Sequence, residues 1–236
     1  MTNRILILLT SNDALGDTGK PTGFHWEELT TPYWLLRDAG YDIDFASPAG
    51  GQPPADPQTG KKEDRPASVQ RFMDDEDAMG ALKASRPVVE ANADAYAAIY
   101  LPGGHGTMWD LAQSPAVGGL IAKAYEGGAV IGAICHGPAG LTGATLSSGE
   151  PLVRGKRVNS FTDAEEREVG LDKVVPYLLE SRLREQGAKF EDNPEPFGAH
   201  VVRDGRLVTG QNPASAEKLG KLLIEALQEE AKKNAA

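Results

Sequence analysis

At 236 residues, with 40% hydrophobic and 25% charged side chains, the chain has the make-up of one generous soluble globular domain with a closed core. Its formal net charge of −10 is spread without a long block of one sign, which speaks against nucleic acid or an anionic membrane as the main partner. One cysteine allows no internal disulfide and no Cys-x-x-Cys motif, and no run approaches the roughly 20 apolar residues of a membrane span, so a reducing, cytoplasmic setting is expected.

Ile5–Thr10 is a continuous apolar run, the pattern of a strand in the middle of a parallel sheet. Ser11-Asn12-Asp13 follow it at once, so it reads as a first strand rather than a leader. A loop with Gly16, Gly19, Pro21 and Gly23 leads to a helix from about Trp26 to Ala39, ended by Gly40. Tyr41–Ser47 alternates as a second strand, and the Pro- and Gly-rich residues 48–66 are loop. A polar helix around Val69–Lys83 and a turn at Arg86-Pro87 precede a third strand, Ala97–Leu101, closed by Pro102-Gly-Gly-His-Gly106. Thr107 is placed as the cap of a short helix through Leu111, and Pro115 opens another that ends near Gly127-Gly128. The apolar run Ala129–Ile134 then enters Cys135-His-Gly-Pro138 and continues into helix formers.

Beyond it, Pro151–Ser160 carries two weak strand signals around Gly155, and Asp163–Gly170 is an acidic turn or short helix. Val175–Gln186 reads as a helix with Leu178, Leu179 and Leu183 on one face. Val201–Arg203 and Leu207–Thr209 form a hairpin across Asp204-Gly205. Pro213 opens a last helix, and Lys232–Ala236 is expected to fray. Alternating strands and helices predict an α/β fold, a doubly wound, mostly parallel sheet flanked by helices in the flavodoxin-like manner. One domain over residues 1–236 is expected, with insertions near 48–90 and 145–200.

Cys135 stands on a sharp strand-to-helix turn among Gly132, Ala133, Gly137 and Ala139. Such a turn pushes a side chain out of the sheet with backbone N–H groups around it, and the helix behind it is expected to lower the thiol's pKa. His136 can move a proton near neutral pH. The turn at 102–106 lies at the same sheet edge and should face this elbow, with Gly103-Gly104 offering N–H groups for an oxyanion. Glu28 sits on the first helix, and a carboxylate among Asp163, Glu165 and Glu166 could orient the imidazole. Blander roles compete. Glu27-Glu28 suit a helix start in any case, Glu165-Glu166 suit a solvated face, and His25 and His200 read as surface or packing residues. His105 is harder to set aside, because it stands inside the glycine turn.

The segments Glu27–Tyr33, Gly40–Pro48, Leu101–Gly106, Ala133–Pro138, Ser160–Asp163 and Leu207–Ser215 together resemble the PfpI superfamily, which shares the class I glutamine amidotransferase-like fold. Within it the chain is similar to the heat-shock chaperone and glyoxalase III branch. The resemblance implies that Cys135 is the reactive cysteine, His136 its neighbouring histidine and Glu28 the glutamate against the thiol. Glu28 is preferred to Glu27 for its spacing from Pro32. It implies Glu166 as the acid behind the histidine, with Asp163 in reserve. Backbone N–H groups of Gly104 and His136 are implied as the oxyanion hole, and His105 is carried beside Gly104 as a candidate oxyanion or substrate contact. Some branch members bind zinc through a histidine and a glutamate after the first-helix glutamate; Tyr33–Asp42 has no histidine, so no metal is expected, and no cofactor.

The activity so implied is a cofactor-free, glutathione-independent conversion of a small 2-oxoaldehyde, methylglyoxal or glyoxal, to D-lactate or glycolate through a cysteine hemithioacetal. Family alternatives are a holdase chaperone acting on unfolded proteins and a deglycase acting on glycated proteins, and a low-pKa thiol would also suit an oxidation sensor. A PfpI-type peptidase is disfavoured by the long insertions. A glutamine amidotransferase is rejected, since the only later histidine, His200, is followed by Val201-Val202 and not by His-x-Glu spacing. Relatives imply a homodimer.

Overall fold

The computed structural model describes residues 2–235. Nine strands are found among them: β1 (Arg4–Leu8), β2 (Asp42–Ser47), β3 (Arg86–Pro87), β4 (Ala98–Leu101), β5 (Val130–Ile134), β6 (Arg157–Val158), β7 (Lys189–Phe190), β8 (Val201–Asp204) and β9 (Leu207–Gly210). Seven form one sheet in the order β3-β2-β1-β4-β5-β9-β8. Every neighbouring pair is parallel except the β8–β9 hairpin at the edge. β6 and β7 make a separate two-stranded parallel sheet.

The helices are α1 (Trp26–Asp38), α2 (Ala67–Asp74), α3 (Glu76–Lys83), α4 (Thr107–Asp110), α5 (Pro115–Glu126), α6 (Ala139–Thr142), α7 (Asp163–Glu168), α8 (Leu179–Glu185) and α9 (Ala216–Ala235). Side chains along a strand alternate between faces, and the core divides accordingly. Ile5, Ile7 and Leu9 pack with Leu29, Tyr33 and Leu36 of α1, Phe72 of α2 and Leu219 and Leu223 of α9. Leu6 and Leu8 pack on the other face with Val117 and Ile121 of α5, Leu141 of α6 and Leu183 of α8. The unbroken apolar run of β1 is thus explained by helices on both faces of a central strand. The α/β doubly wound architecture matches expectation. No helix of the described residues is long and apolar enough to cross a membrane.

Several local expectations are corrected. The helix expected over Val69–Lys83 is two, because Asp75 is extended at φ −90°, ψ 107° and its side chain caps α3 by accepting from the Ala78 N–H at 2.9 Å. Arg86-Pro87 is a short edge strand paired with β2, a place that tolerates proline. Gly106, not Thr107, caps α4, and Thr107 is its first helical residue. The helix expected from Val175 begins only at Leu179: Pro176 disfavours helical geometry at Val175, and Leu178 is extended at φ −80°, ψ 122°. Pro213 opens a short 3₁₀ turn, and α9 starts at Ala216. The tail stays helical through Ala235, with Lys232 and Lys233 in the last turn where cations suit the helix dipole; Ala236 lies outside the described residues.

β4 and β5 are adjacent and in register, with Leu101 opposite Ala133. Parallel strands end at the same edge, so the turns that follow them abut. Tyr100 of β4 donates its hydroxyl to the Glu28 carbonyl at 2.6 Å, which ties α1 to the same edge. That edge is where the chemistry-bearing residues meet.

Candidate active site

Cys135 follows β5 with φ 58°, a left-handed conformation that a non-glycine residue holds only under constraint. The constraint is visible on both sides of it. Its N–H donates to the Gly210 carbonyl at 2.9 Å and its carbonyl accepts from Phe161 N–H at 2.8 Å. The next turn closes by Gly137 N–H donating to the Ile134 carbonyl at 2.7 Å. Space here admits no side chains: a Cβ on Gly137 would lie 2.1 Å from the Leu101 carbonyl oxygen, and one on Gly103 would lie 2.7 Å from both the His136 nitrogen and Glu28 Oε2. The glycine turn and the elbow therefore face each other at backbone contact. Thr107, fully buried, bridges them with its hydroxyl 2.9 Å from the carbonyls of both Gly104 and His136.

From the sulfur outward the side chains form a relay. Cys135 Sγ lies 3.3 Å from His136 Nδ1, and His136 Nε2 lies 2.7 Å from Glu166 Oε2. The other oxygen of Glu166 lies 2.9 Å from His105 Nε2, and the two imidazoles pack with centroids 4.1 Å apart. Burial pushes the Glu166 carboxyl up, but the adjacent His136 and His105 outweigh it and hold the group well below the usual carboxylate range. Burial and the neighbouring His105 hold His136 below the ordinary histidine value, against the pull of Glu166. The pair at rest is thus a carboxylate and a neutral imidazole. An acceptor-only carboxylate requires N–H on each facing nitrogen, which leaves the lone pair of His136 on Nδ1, toward the thiol.

Glu28 lies wholly buried at the start of α1. Its Oε2 accepts from the Gly103 N–H at 2.8 Å, whereas Oε1 has no partner among the described residues. The Cys135 thiol and the Glu28 carboxyl lie close enough to interact, and each shifts the other's protonation. Burial raises Glu28 to about 8, moderated by Cys135 and by the Gly103 N–H. Burial also pushes the Cys135 thiol well up, reinforced by Glu28. The expected acidification of the sulfur is therefore corrected. The helix behind it, α6, is only four residues long, too short a dipole to offset burial beside a carboxyl group.

Other expected residues fall elsewhere. Asp163 turns away from the imidazoles and accepts from Ser181 Oγ at 2.6 Å. Glu165 is buried and committed to structure: it accepts from Thr162, from Phe197 N–H at 2.8 Å, and from Gln211 and Asn212. Thr162 and Glu165 form a capping box at the start of α7. That Thr-x-x-Glu spacing was a signal separating Glu165 from Glu166. Glu27, beside Glu28 on α1, is half-buried and outside the relay. His200 is held at its backbone by Ser215 and Asn159 near the hairpin.

Three residues were missed. Phe161 packs on His136 with centroids 4.6 Å apart, and Phe197, at φ 60°, lies 6.2 Å from Phe161. His25, expected as surface or packing, instead lies within reach of the cluster: burial and the imidazoles of His105 and His136 push it down to about 4.

His105, His136 and Glu166 each offer one ligand atom, all within 4.8 Å of one another, a donor set of the kind that borderline metals use. Each nitrogen–oxygen pair there is already closed by a hydrogen bond. A cavity of about 370 Å³ opens at the opposite, amino-terminal edge of the strands, beside Asn3, Tyr96 and Ala129. It contains none of these groups.

The DJ-1/PfpI family model matches residues 21–226. The glutathione-independent glyoxalase HSP31 of Saccharomyces cerevisiae is 32% identical, over 95% of this chain and 98% of its own. The crystal structure of glyoxalase III from Candida albicans superposes with a TM-score of 0.87 at 28% identity, over 94% of this chain and 96% of that one. The Rapid Encystment Protein of Francisella tularensis superposes at 0.90 with 36% identity, over 96% and 99%.

Proposed function

The chain belongs to the DJ-1/PfpI family, and on that footing we propose that it is a glutathione-independent glyoxalase that converts small 2-oxoaldehydes to 2-hydroxy acids. The observation that carries the reading is Glu28: a buried carboxyl at about 8, set against the only cysteine. Such a group can give and take a proton near neutral pH, which is what moving a hydrogen from C1 to C2 of an oxoaldehyde requires.

The steps follow from the placement of the groups. His136 Nδ1, 3.3 Å away, takes the thiol proton as the sulfur attacks the aldehyde carbon, so no standing thiolate is needed. Glu166 stabilises the imidazolium that forms, as the third member of a triad does. Neither the Gly104 N–H nor the His136 N–H donates to another described residue, and together they receive the oxygen that was the aldehyde's. Protonated there, that oxygen completes a hemithioacetal. Glu28, as carboxylate, then removes the C1 proton and returns it to C2. C1 rises to the thioester level while C2 is reduced, so the redox change is internal. Water releases the acid from the sulfur.

Glutathione is dispensable because Cys135 supplies the sulfur that glutathione would otherwise contribute. Burial also sets the substrate's size. Cys135 and Glu166 keep only 4% and 3% of their surface exposed and His136 none, which suits a three-carbon aldehyde and not an extended polypeptide. The test is product analysis after incubation with methylglyoxal in the absence of glutathione. D-lactate is expected from the wild type and none from Cys135→Ala. No lactate from the wild type, or undiminished turnover by Cys135→Ala, would overturn the assignment.

A further inference from the structure

Two buried side-chain atoms at this edge have no hydrogen-bond partner among the described residues: His25 Nδ1 and Glu28 Oε1. Buried polar atoms are almost always paired; the Glu28 carboxyl at least meets the Cys135 thiol, whereas nothing among the described residues meets His25 Nδ1, which calls for an occupant. His25 is the extended residue immediately before α1, at φ −89°, ψ 122°, and Glu28 lies in the first turn of that helix. The backbone of His25 is fixed where the oxyanion donors lie. Its N–H donates to the Gly103 carbonyl at 3.0 Å, and a Cβ on Gly104 would lie 2.7 Å from the same nitrogen. Its imidazole interacts electrostatically with His105 and His136, and with them and burial holding it at about 4, it is neutral at physiological pH. A neutral ring offers one N–H and one lone pair.

Resting on the glyoxalase reading, we propose that His25 is a further catalytic residue, whose Nδ1 holds the C2 oxygen of the substrate while Glu28 Oε1 handles the C1 proton. The imidazole and the carboxyl together recognise a vicinal pair of oxygenated carbons, which restricts turnover to 1,2-dicarbonyl compounds. When Glu28 takes the C1 proton, the C1–H electron pair becomes the C1–C2 double bond. The π pair of the C2 carbonyl settles on its oxygen, where the His25 Nδ1–H donates a hydrogen bond and keeps its proton. Glu28 then returns its proton to C2, and the hydroxyl proton of C1 passes to the C2 oxygen. No external oxidant or reductant enters. An aldehyde lacking the C2 oxygen can still add to Cys135 but goes no further.

The test compares His25→Phe, which keeps the ring's bulk without nitrogen, with His25→Asn, whose side-chain amide can stand in for Nδ1. D-lactate formation from methylglyoxal is measured beside two controls: the rate of Cys135 alkylation by iodoacetamide, and the thermal midpoint. Loss of one donor to a developing oxyanion typically costs 10²–10³ in kcat, so His25→Phe should lose about 100-fold or more in kcat with alkylation nearly unchanged. His25→Asn should recover at least about tenfold of that loss. Should His25→Phe not fold, His25→Ala takes its place. A folded Phe or Ala variant that turns over like the wild type overturns the role of His25, as does an Asn variant no better than Phe or Ala. Neither result touches the glyoxalase reading, which fails separately if the wild type makes no lactate.

Discussion

Replacing Glu28 by Gln should make the protein more stable and less active, with a pH signature that identifies the cause. Gln has the shape of the protonated acid and cannot ionise, and its carbonyl can keep the bond from the Gly103 N–H. Below the ordinary carboxyl value of 4.5, Glu28 is protonated in the folded and the unfolded chain alike, so wild type and variant respond equally to pH. Between 4.5 and about 8 the unfolded chain has released a proton that the folded chain retains, so wild-type stability falls as pH rises through that window. At 1.36 kcal/mol per pH unit, the wild type loses roughly 5 kcal/mol relative to the variant by pH 8, about 3 of them by pH 7. Cys135, itself raised well above its usual value, stays a thiol throughout and adds nothing to the difference. Urea unfolding of both proteins near pH 5, 7 and 9 reads this directly. With m near 1–3 kcal/mol/M, the midpoint gap should widen by about 1 M or more in favour of the variant. The variant should at the same time lose lactate formation, an instance of stability gained where activity is given up. A gap that stays constant from pH 5 to 9 would refute a buried, proton-holding carboxyl.

Glu166→Gln should lower kcat/KM by about 10³–10⁴, the usual cost of losing the acid that orients a catalytic imidazole, as read by initial rates of lactate formation. Since the Glu166 carboxyl is held well down in the folded state by His136 and His105, the wild type should lose stability as pH falls below the usual carboxylate range, and this variant should lose less over the same acid limb. Glu165→Ala removes the acceptor for Thr162, Phe197, Gln211 and Asn212. Several stranded donors at about 1–3 kcal/mol each should cost at least about 3 kcal/mol. Limited proteolysis should then cut faster at 193–198; unchanged cleavage and stability would contradict the role given to that carboxylate.

The frame of the fold could be read from the chain because its signals are local and redundant. β1 and β5 are apolar without interruption, and the small residues around Cys135 leave no plausible home but a crowded turn. Parallel strands end together, which sets the turn at 102–106 opposite the elbow, and Gly103 and Gly137 meet their neighbours at backbone distance. Short elements escaped. β7 is two residues long and has no period to detect, and Pro176 silently shortened α8. The choice among Asp163, Glu165 and Glu166 hung on which way one turn of helix faces the sheet, a tertiary fact that family resemblance supplied and composition did not. The protonation of the sulfur is illegible in the sequence for a related reason. A dipole can be inferred from sequence, but the burial that outweighs it depends on Glu28, more than a hundred positions away. His25 gives no such signal, because what brings it to this edge is Gly104 packing against its backbone, a contact no spacing encodes.

The most direct test of the account is an intact-mass measurement on enzyme quenched in acid during turnover of methylglyoxal, followed by peptide mapping. The account predicts a transient adduct equal to one substrate molecule, confined to the peptide that contains Cys135, accumulating in the Glu28→Gln variant and absent from Cys135→Ala. Turnover to lactate with no adduct on that peptide, or an adduct of equal extent on Cys135→Ala, would contradict it.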